Sequence, residues 1–339
     1  MSHKPPEVVV ITGASAGVGR ATAHRFARDG ARIALLARSS DGLDVAAEEV
    51  RRLGGEALPI PVDVADAEEV EAAAERVERE LGPIDIWIND AMATIFAPVH
   101  QITPAEFRRA TEVTYLGTVH GTLAALKRMR ERNRGTIVQV GSALAYRAIP
   151  LQAPYCGAKF AIRGFTDALR VELEHEKSRI HVTMVQLSAF NTPQFQWGRT
   201  KLPRRPQPVP PIFQPEVAAQ GIHWAAHHRR RELVVGFPAV KAILGNKLFP
   251  RLADRRLVRL GYDGQMDRQP LPEGRPDNLF QAVPSDYGTH GRFDRRSRAW
   301  SLQLWLTTHR GLVAAGALAA GALLWAGRRG LRSAARRLA

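Results

Sequence analysis

Cysteine is nearly absent from this chain of 339 residues, which contains only Cys156. A single cysteine excludes a disulfide framework and a cysteine-based zinc site. The eleven histidines show no metal-ligand spacing, so we predict no metal centre. The first residues also lack an apolar run long enough for a secretory leader. We therefore expect the catalytic part of the chain to lie in a reducing cytoplasm.

Acidic residues are scarce in the second part of the chain. Residues 1–198 contain 23 Lys and Arg against 24 Asp and Glu, whereas residues 199–339 contain 25 against 9. The net charges are −1 and +16, so the whole basic surplus lies in the C-terminal part. A general enrichment in arginine does not explain this asymmetry, because the first part also uses arginine and stays balanced. A basic C-terminal part favours contact with anionic lipid or with nucleic acid.

Long apolar runs are also rare, and one stands near the C-terminus. The seventeen residues 311–327 carry no charge and would reach about 26 Å as a helix, at the short end of a membrane span. Five arginines lie within residues 292–310 and five within 328–337, so charge bias assigns no orientation. We predict a membrane-associated hydrophobic helix within a terminal segment 299–339. A buried core helix and an interfacial helix are the alternatives.

Over the first 190 residues, two patterns alternate regularly. Short segments rich in Val and Ile are typical of strands, namely Val8–Thr12, Arg32–Ala37, Ala57–Val62, Ile84–Asn89, Thr136–Val140 and His181–Leu187. Helical patterns lie between them, namely Gly17–Asp29, Leu43–Leu53, Ala67–Leu81, Pro104–Arg132 and Tyr155–His175. Strands that alternate with helices predict β-α-β units, so the expected fold is α/β with a doubly wound parallel sheet.

The pattern changes after the proline-rich stretch 203–215. A helix at Pro215–His227 and a strand at Glu232–Gly236 would complete the sheet, so we predict a catalytic domain of residues 1–237. We expect an amphipathic helix at Ala239–Leu260 and, over residues 261–298, a loop or linker packed on the domain. The predicted C-terminal extension therefore consists of a basic part, 238–298, and the terminal segment 299–339.

A glycine-rich turn follows the first predicted strand and opens a helix. It has the form Thr12-Gly13-Ala-Ser15-Ala-Gly17-Val18-Gly19. Glycines in this context permit a tight turn and a close approach to a pyrophosphate, to which the helix amino end offers N–H groups. We predict that this turn binds a dinucleotide; the alternative is a glycine-rich turn without a ligand.

Residues at the ends of the second and third strands bear on which dinucleotide is bound. Arg38 stands where an acidic residue would bind the ribose hydroxyls of NAD, and a guanidinium suits a 2′-phosphate instead. We therefore favour NADP(H) over NAD(H), with a solvated Arg38 as the alternative. Asp63 ends the third strand and is expected to contact adenine, unless it serves only as a turn or cap carboxylate.

Three residues in the middle of the chain have the spacing of a hydride-transfer site. Ser142 follows a predicted strand, and Tyr155 and Lys159 share one face of the next helix, four residues apart. A tyrosine can give an alkoxide its proton if the phenol pKa falls towards neutrality, and a nearby ammonium stabilises the phenolate. Ser142 is expected to hydrogen-bond the substrate oxygen. A solvated Tyr–Lys pair is the alternative.

Together these motifs resemble the short-chain dehydrogenases/reductases over about residues 7–237. The resemblance implies a one-domain, Rossmann-like oxidoreductase that is a homodimer or homotetramer through helices 104–132 and 155–175. It also implies that Lys159 bonds the nicotinamide ribose and that Thr192 contacts the nicotinamide carboxamide. The implied cofactor-binding set is Thr12, Gly13, Ser15, Gly17, Val18, Gly19, Arg38, Asp63, Val64, Asn89, Ala91, Tyr155, Lys159 and Thr192.

The chain departs from the family pattern at three places. The usual Asn of an Asn-x-x-Gly pattern is Thr114, so we expect a modified proton relay that includes Thr114 among the catalytic residues. The Asn-Asn-Ala-Gly motif is Asn89-Asp-Ala-Met92, in which Asn89 is expected still to tie strands together. After the sixth strand, Pro-Gly is replaced by Ser188-Ala189. These changes leave Ser, Tyr and Lys in place but alter the surroundings of the nicotinamide.

The loop from Phe190 to Phe213 contains four aromatic residues and many prolines. An aromatic, proline-stiffened lid predicts a bulky, apolar carbonyl or alcohol substrate. The expected function is therefore an NADP-dependent, membrane-associated oxidoreductase. A nucleotide-binding scaffold or sensor at the membrane, without turnover, is the alternative. Nucleic-acid binding is not expected, because the basic tail contains no recognisable reading module.

Overall fold

The central feature of the protein is a seven-stranded sheet, found in a computed structural model that describes residues 6–316 and 318. Its strands are β1 (Val8–Thr12), β2 (Arg32–Ala37), β3 (Glu56–Pro61), β4 (Ile86–Asn89), β5 (Thr136–Ser142), β6 (His181–Leu187) and β7 (Glu232–Val235). Their order is β7-β6-β5-β4-β1-β2-β3, and all neighbours are parallel. The chain starts in the middle, winds to one edge and then to the other, so the predicted doubly wound α/β fold is confirmed.

Helices cover both faces of this sheet. They are α1 (Gly17–Ala27), α2 (Ser40–Arg52), α3 (Ala67–Glu80), α4 (Pro104–Thr111), α5 (Gly117–Arg132), α6 (Ala153–His175) and α7 (Pro215–His227). One cluster of buried residues joins α1, α2 and α7 to the sheet, and a second joins α3, α5 and α6. Alternate residues of β1 enter the two clusters, because successive side chains of a strand point to opposite faces. Burial on both faces explains the nearly continuous apolar strands.

The long helix predicted at Pro104–Arg132 is two helices joined by a π-helical turn. α4 begins with a capping box between Thr103 and Glu106 and ends at Thr111. Glu112–Leu116 form the π turn, and α5 starts at Gly117. Such a turn widens a helix locally, and it sets the position of Thr114.

The single amphipathic helix predicted at Ala239–Leu260 is also two helices. α8 (Phe237–Leu248) follows β7 almost directly, and α9 (Pro250–Leu260) begins after Phe249. Pro250 cannot donate the N–H that would continue α8, and it restricts Phe249, whose φ and ψ of −138° and 61° are not helical. Residues 237–260 are called the cap below, because they roof the pocket at the carboxyl ends of the strands.

Residues 261–298 pack back across the domain, as expected for a packed loop, but they are more closely integrated than a linker. Met266–Pro270 pairs antiparallel with Arg204–Pro206, and Ser297–Arg298 pairs parallel with Ile212–Phe213. Leu279 is completely buried in one of the two main clusters. Residues 277–291, called the strap below, cross the glycine-rich turn.

The described chain ends with α10 (Leu302–Thr308) and a further helical stretch over residues 310–316. Gln303 ties α10 to the end of β7, because its amide accepts from the N–H of Gly236 at 2.7 Å and donates to the carbonyl of Val234 at 3.0 Å. Within the described ranges, no helix is long and apolar enough to cross a bilayer. Most of the predicted membrane segment 311–327 lies outside the described residues.

Candidate active site

A pocket of about 1550 Å³ opens at the carboxyl ends of the central strands. The glycine-rich turn, the start of α6, the loop after β6, the cap and the strap form its wall. Twelve predicted site residues line it, namely Gly13, Ser15, Gly17, Val18, Arg38, Asp63, Val64, Ala91, Ser142, Tyr155, Lys159 and Thr192. The other four, Thr12, Gly19, Asn89 and Thr114, lie behind this lining. The sequence motifs therefore converge on one cavity.

The glycine-rich turn has the geometry that an anion-binding helix end requires. Gly13 has a φ of +74°, and an added Cβ there would lie 2.9 Å from the Cα of Ala91. α1 starts at Gly17 without a side-chain N-cap and without an acidic residue in its first turn. The N–H of Gly17 donates to the carbonyl of Gly288 in the strap, while the positive end of the helix dipole suits a pyrophosphate. The turn thus fits a dinucleotide.

Thr12 and Asn89 hold the floor of the pocket together from behind. The Thr12 hydroxyl accepts from the N–H groups of Asp90 at 3.0 Å and Ala91 at 3.1 Å, which fixes the turn after β4 against β1. The Asn89 amide donates to Thr122 at 3.1 Å and to Gln139 at 2.9 Å, joining β4 to α5 and β5. The side chain of Asn89 is therefore engaged within the fold rather than in the pocket wall.

Thr114 is completely buried in the π turn. Its hydroxyl donates to the carbonyl of Ala93 and accepts from the N–H of the same residue, both at 3.0 Å. These two hydrogen bonds fix the chain that follows β4. The Thr114 hydroxyl thus makes both of its hydrogen bonds with backbone groups. Its part in a proton relay stays a prediction.

Ser142, Tyr155 and Lys159 meet at the end of β5. The Ser142 hydroxyl lies beside the Tyr155 phenol, and it accepts from the N–H of Leu144 at 3.1 Å. Lys159 Nζ donates to the carbonyl of Val140 at 2.6 Å and lies 5.5 Å from the centre of the Tyr155 ring. Two hydroxyls and an amine therefore lie close together in the pocket wall, with the amine directed at the Val140 carbonyl.

The electrostatics of this cluster differ from the expectation. Burial raises the pKa of the Tyr155 phenol, the adjacent Ser142 hydroxyl opposes this, and the nearby charge of Asp90 raises it further. The expected lowering of the Tyr155 pKa by Lys159 is not found in this arrangement, because the ammonium is directed at the Val140 carbonyl. Burial lowers the pKa of Lys159 itself to about 8. Tyr155 is accordingly protonated at neutral pH.

Asp90 is a site residue that the sequence analysis quoted without a role. Its carboxylate lines the pocket, and Oδ2 lies 3.1 Å from where a Cβ on Gly19 would stand. Burial raises the pKa of Asp90 to about 7, while the charge of Lys159 partly offsets that rise. Asp90 and Lys159 are thus two buried titratable groups of opposite charge type close to Tyr155. The signal in the sequence was the replacement of the second Asn of the Asn-Asn-Ala-Gly motif by Asp.

The strap crosses the end of the pocket at which Arg38 lies. The Arg38 guanidinium donates to the carbonyl of Phe280 at 3.2 Å and to that of Asn278. Arg20, which is 1% exposed, binds Glu49 at 2.7 Å and Asp286 of the strap. Arg38 is therefore held by backbone carbonyls rather than solvated in a surface loop.

Two further sets of contacts lie at the ends of the region that is predicted to bind the dinucleotide. Asp63 accepts from the N–H of Ala65 at 3.0 Å and from Arg109, so it serves as a turn carboxylate while lining the pocket. Gly17, at the start of α1, donates its N–H to the carbonyl of Gly288 in the strap at 3.1 Å. The strap thus contacts the glycine-rich turn directly.

Thr192 lines the pocket and carries a buried hydroxyl. Oγ1 has no hydrogen-bond partner among the described residues, although the side chain is almost entirely buried. A buried polar group without a partner is costly unless a ligand satisfies it. Thr192 therefore fits the carboxamide of a nicotinamide.

The predicted aromatic lid lies partly in the wall. Phe190, Phe195 and Trp197 line the pocket. Phe213 instead packs behind Phe190, with ring centres 6.1 Å apart, in a main core cluster. Leu252 and Leu257 of the cap complete an apolar side of the cavity.

Glu106 anchors the lid loop to α4. Its buried carboxylate accepts from Arg199 at 3.1 Å and from Lys201 at 2.7 Å, and it also accepts from the N–H of Thr103 at 2.8 Å. Burial alone raises the pKa of this carboxyl, but the hydrogen bonds from Lys201, Thr103 and Arg199 outweigh it and lower the pKa to about 2. The carboxylate form is thus strongly stabilised by the fold.

We expect Glu106→Gln to lower the free energy of unfolding by about 3 kcal/mol at pH 7. A carboxyl with a depressed pKa stabilises the fold above its ordinary pKa of 4.5 and loses that contribution as pH falls to about 2. In urea unfolding, the difference in free energy of unfolding between the wild type and Glu106→Gln should therefore be smaller at pH 3 than at pH 7. Glu80→Gln, at an exposed pair with Arg76, is the control and should have little effect. A loss of stability in Glu106→Gln that is the same at both pH values would contradict this role of the Glu106 carboxylate.

Comparison with known proteins agrees with this site. The family model described as short chain dehydrogenase matches residues 7–201, more than half of the chain. The uncharacterized oxidoreductase YxnA of Bacillus subtilis is 32% identical over 324 residues, which cover 94% of this chain and 90% of that protein. Estradiol 17-beta-dehydrogenase 11 of Rattus norvegicus is 30% identical over 261 residues, covering 76% and 85%. The X-ray structure of an alcohol dehydrogenase from the archaeon Thermococcus sibiricus, complexed with 5-hydroxy-NADP, has a TM-score of 0.59 and 27% identity, covering 68% and 95%.

Proposed function

The chain belongs to the short chain dehydrogenase family and is an NAD(P)-dependent oxidoreductase, and from this premise we propose that it transfers a hydride between NADP(H) and a bulky, apolar carbonyl or alcohol. One observation carries the proposal. Ser142, Tyr155 and Lys159 meet in the pocket that also contains the glycine-rich turn. A proton donor close to the region where we propose that a nicotinamide lies supports this reaction.

The residues of the pocket suggest how the cofactor is held. The glycine-rich turn and the start of α1 would bind the pyrophosphate, and Asp63 with Val64 would flank the adenine. Thr192, with its unpartnered hydroxyl, would bind the carboxamide. When bound, the reduced nicotinamide supplies the hydride, and the oxidised form accepts it.

The protein residues supply the proton chemistry. In the reducing direction, the Tyr155 hydroxyl donates its proton to the substrate oxygen, while Ser142 hydrogen-bonds the same oxygen. Burial keeps Tyr155 protonated but raises its pKa, so donation depends on stabilisation of the phenolate that forms. The phenolate left behind is stabilised if Lys159 turns from the Val140 carbonyl towards Tyr155. Thr114 is hydrogen-bonded to Ala93 behind the pocket. From there it would take part in the relay that returns a proton to the site.

Apolar side chains support the proposed substrate class. Phe190, Phe195 and Trp197 line one side of the pocket, and Leu252 and Leu257 of the cap line another. The cavity of about 1550 Å³ has room for a large substrate beside the cofactor. The relative named estradiol 17-beta-dehydrogenase 11 points to the same class, since estradiol is a bulky, apolar alcohol.

We further propose a cytoplasmic catalytic domain of residues 1–237, with a basic extension at 238–298 and membrane association through the terminal segment 299–339. The basic surplus of residues 199–339 supports contact with anionic lipid. A homodimer or homotetramer through α4, α5 and α6 is supported by exposed apolar side chains on two of these helices, namely Leu123, Phe160 and Val171.

Arg38→Ala tests the proposed cofactor preference. An arginine has five N–H donors, so two bonds to strap carbonyls leave donors for a 2′-phosphate. Loss of a charge-assisted contact should weaken NADPH binding by about 10- to 100-fold and leave NADH binding nearly unchanged. Fluorescence titration of both nucleotides measures this directly.

Arg28→Ala serves as the control for the same titration. Arg28 is exposed at the far end of α1, so its removal subtracts the same charge without touching the pocket. A preference of the wild type for NADH, or equal losses for both nucleotides in Arg38→Ala, would contradict the preference for NADP(H). Failure of the wild type to bind either nucleotide would contradict the function itself.

A further inference from the structure

The cap exposes an apolar surface that the proposed chemistry does not use. Seven of its large apolar side chains are more than half exposed, and Val258 reaches 80%. α9 contains no buried residue. A helix pair on a water-facing surface normally turns its apolar side inward. The opposite arrangement here indicates that something apolar covers the cap.

The exposed surface is continuous with the mouth of the pocket. Phe249, Leu252 and Leu260 are more than half exposed, and the same three side chains line the cavity. Val258 and Leu248 extend the surface away from the mouth. An apolar path therefore leads from the outer face of the cap into the pocket.

Basic side chains surround this surface. Residues 237–260 contain six Lys and Arg and one acidic residue, Asp254, which is paired with Arg147. Lys241, Arg255 and Arg259 lie at the pocket wall, beside the exposed apolar side chains. Cations that flank apolar side chains on a helix suit the headgroup layer of an anionic bilayer, with the apolar side chains inserted at the acyl boundary. A nucleic acid would satisfy the cations but leave the apolar surface in water.

A second exposed apolar region starts at the same edge of the sheet. α8 begins directly after Gly236, and Gln303 of α10 binds the N–H of Gly236. Trp300, Leu302 and Trp305 are exposed at the start of α10. Tryptophan is enriched where protein meets the headgroup region of membranes. The two exposed regions thus originate side by side.

We propose that the cap and the start of α10 form a docking surface that lies on an anionic phospholipid bilayer, with the mouth of the pocket facing the acyl region. This surface lies on described residues. Its main part, the cap, is separate from the terminal segment 299–339, whereas the start of α10 belongs to that segment. Its docking is a binding event, so it can be measured without turnover, and its failure would leave the proposed hydride transfer untouched.

The single cysteine of the chain makes a local measurement practical. Cys156 is buried and burial raises the pKa of its thiol, so it reacts slowly with labelling reagents. Val258→Cys in the full chain can therefore carry an environment-sensitive nitrobenzoxadiazole label on the cap. Ala72→Cys, at an exposed position on α3, carries the same label as the matched control, and the labelled wild type gives the background.

Vesicles of phosphatidylglycerol and phosphatidylcholine are then added to each labelled protein. We expect the Val258→Cys label to shift to shorter wavelength and brighten severalfold, and to be quenched by nitroxide-labelled lipid, with little change for Ala72→Cys. The shift should weaken at high salt and with vesicles of phosphatidylcholine alone. The terminal segment alone could hold the chain on vesicles. The test therefore compares the responses of the two label positions rather than the fraction of protein bound.

Three results would overturn the docking surface. The first is an unchanged Val258→Cys label while the protein sediments with the vesicles. The second is a shift without lipid that grows with protein concentration, which would assign the cap to contact with a second copy of the chain. The third is an equal shift on addition of DNA.

Discussion

Tyr155→Phe should lower kcat by about 10³-fold while leaving NADPH binding nearly unchanged. Phenylalanine keeps the ring, which is packed in the wall of the pocket, and removes only the hydroxyl that lies beside Ser142. Without that proton donor, the alkoxide formed by hydride transfer must take its proton from water. Steady-state rates with NADPH and an apolar ketone, beside a nucleotide titration, separate the chemical step from binding.

Tyr146→Phe is the matched control for this prediction. Tyr146 also has a phenol whose pKa is raised by burial and by a hydrogen bond to Glu232, here at 2.6 Å. It lies outside the pocket lining, so its loss should lower stability and leave kcat nearly intact. Equal losses of kcat in the two variants would show that Tyr155 acts only through the fold.

Gly19→Ala should weaken NADPH binding by about 100-fold and lower the melting temperature. The added Cβ would lie 2.3 Å from the carbonyl oxygen of Gly13 and 2.8 Å from its carbon, closer than real atoms approach. The turn or the first turn of α1 must therefore move, and overpacking of this kind costs about 1–3 kcal/mol. The same movement displaces the N–H groups that face the pyrophosphate.

Gly164→Ala is the control for the glycine substitution. Gly164 lies within α6, and an added Cβ there meets no atom within 4 Å. Alanine favours helix over glycine, so this variant should bind NADPH normally and gain about 0.5–1 kcal/mol of stability. Nucleotide titration and thermal unfolding of both variants complete the test. Normal binding by Gly19→Ala would contradict the assigned role of the turn.

Local sequence patterns were enough to predict the sheet. The bounds of β1, β2 and β6 agree with the segments expected from their Val- and Ile-rich runs, and α7 agrees with its proline start. The break between α8 and α9 was also signalled locally, by Pro250, and the expectation of one helix overlooked it. The π turn at Glu112–Leu116 was not signalled by hydrophobic periodicity, because one widened turn barely changes it.

Contacts made by the strap could not be predicted from the sequence. Asp286 meets Arg20 across 266 positions, and the carbonyls of Asn278 and Phe280 meet Arg38 across about as many. No short motif encodes such pairs, because they depend on how the whole C-terminal extension packs. The direction of Lys159, towards Val140 rather than Tyr155, was hidden for the same reason. The motif predicted which residues lie close together, whereas tertiary packing determined their hydrogen-bond partners.

The proposed reaction is a direct hydride transfer between a nicotinamide and an apolar substrate at Tyr155. Single-turnover reaction with NADPH that carries deuterium at the transferable position, in the presence of a panel of bulky ketones and aldehydes, tests it most directly. We expect mass spectrometry to find one deuterium on the new carbinol carbon with the wild type and almost none with Tyr155→Phe. Tight NADPH binding by the wild type without label transfer to any apolar carbonyl, or transfer only to small hydrophilic aldehydes, would contradict the account.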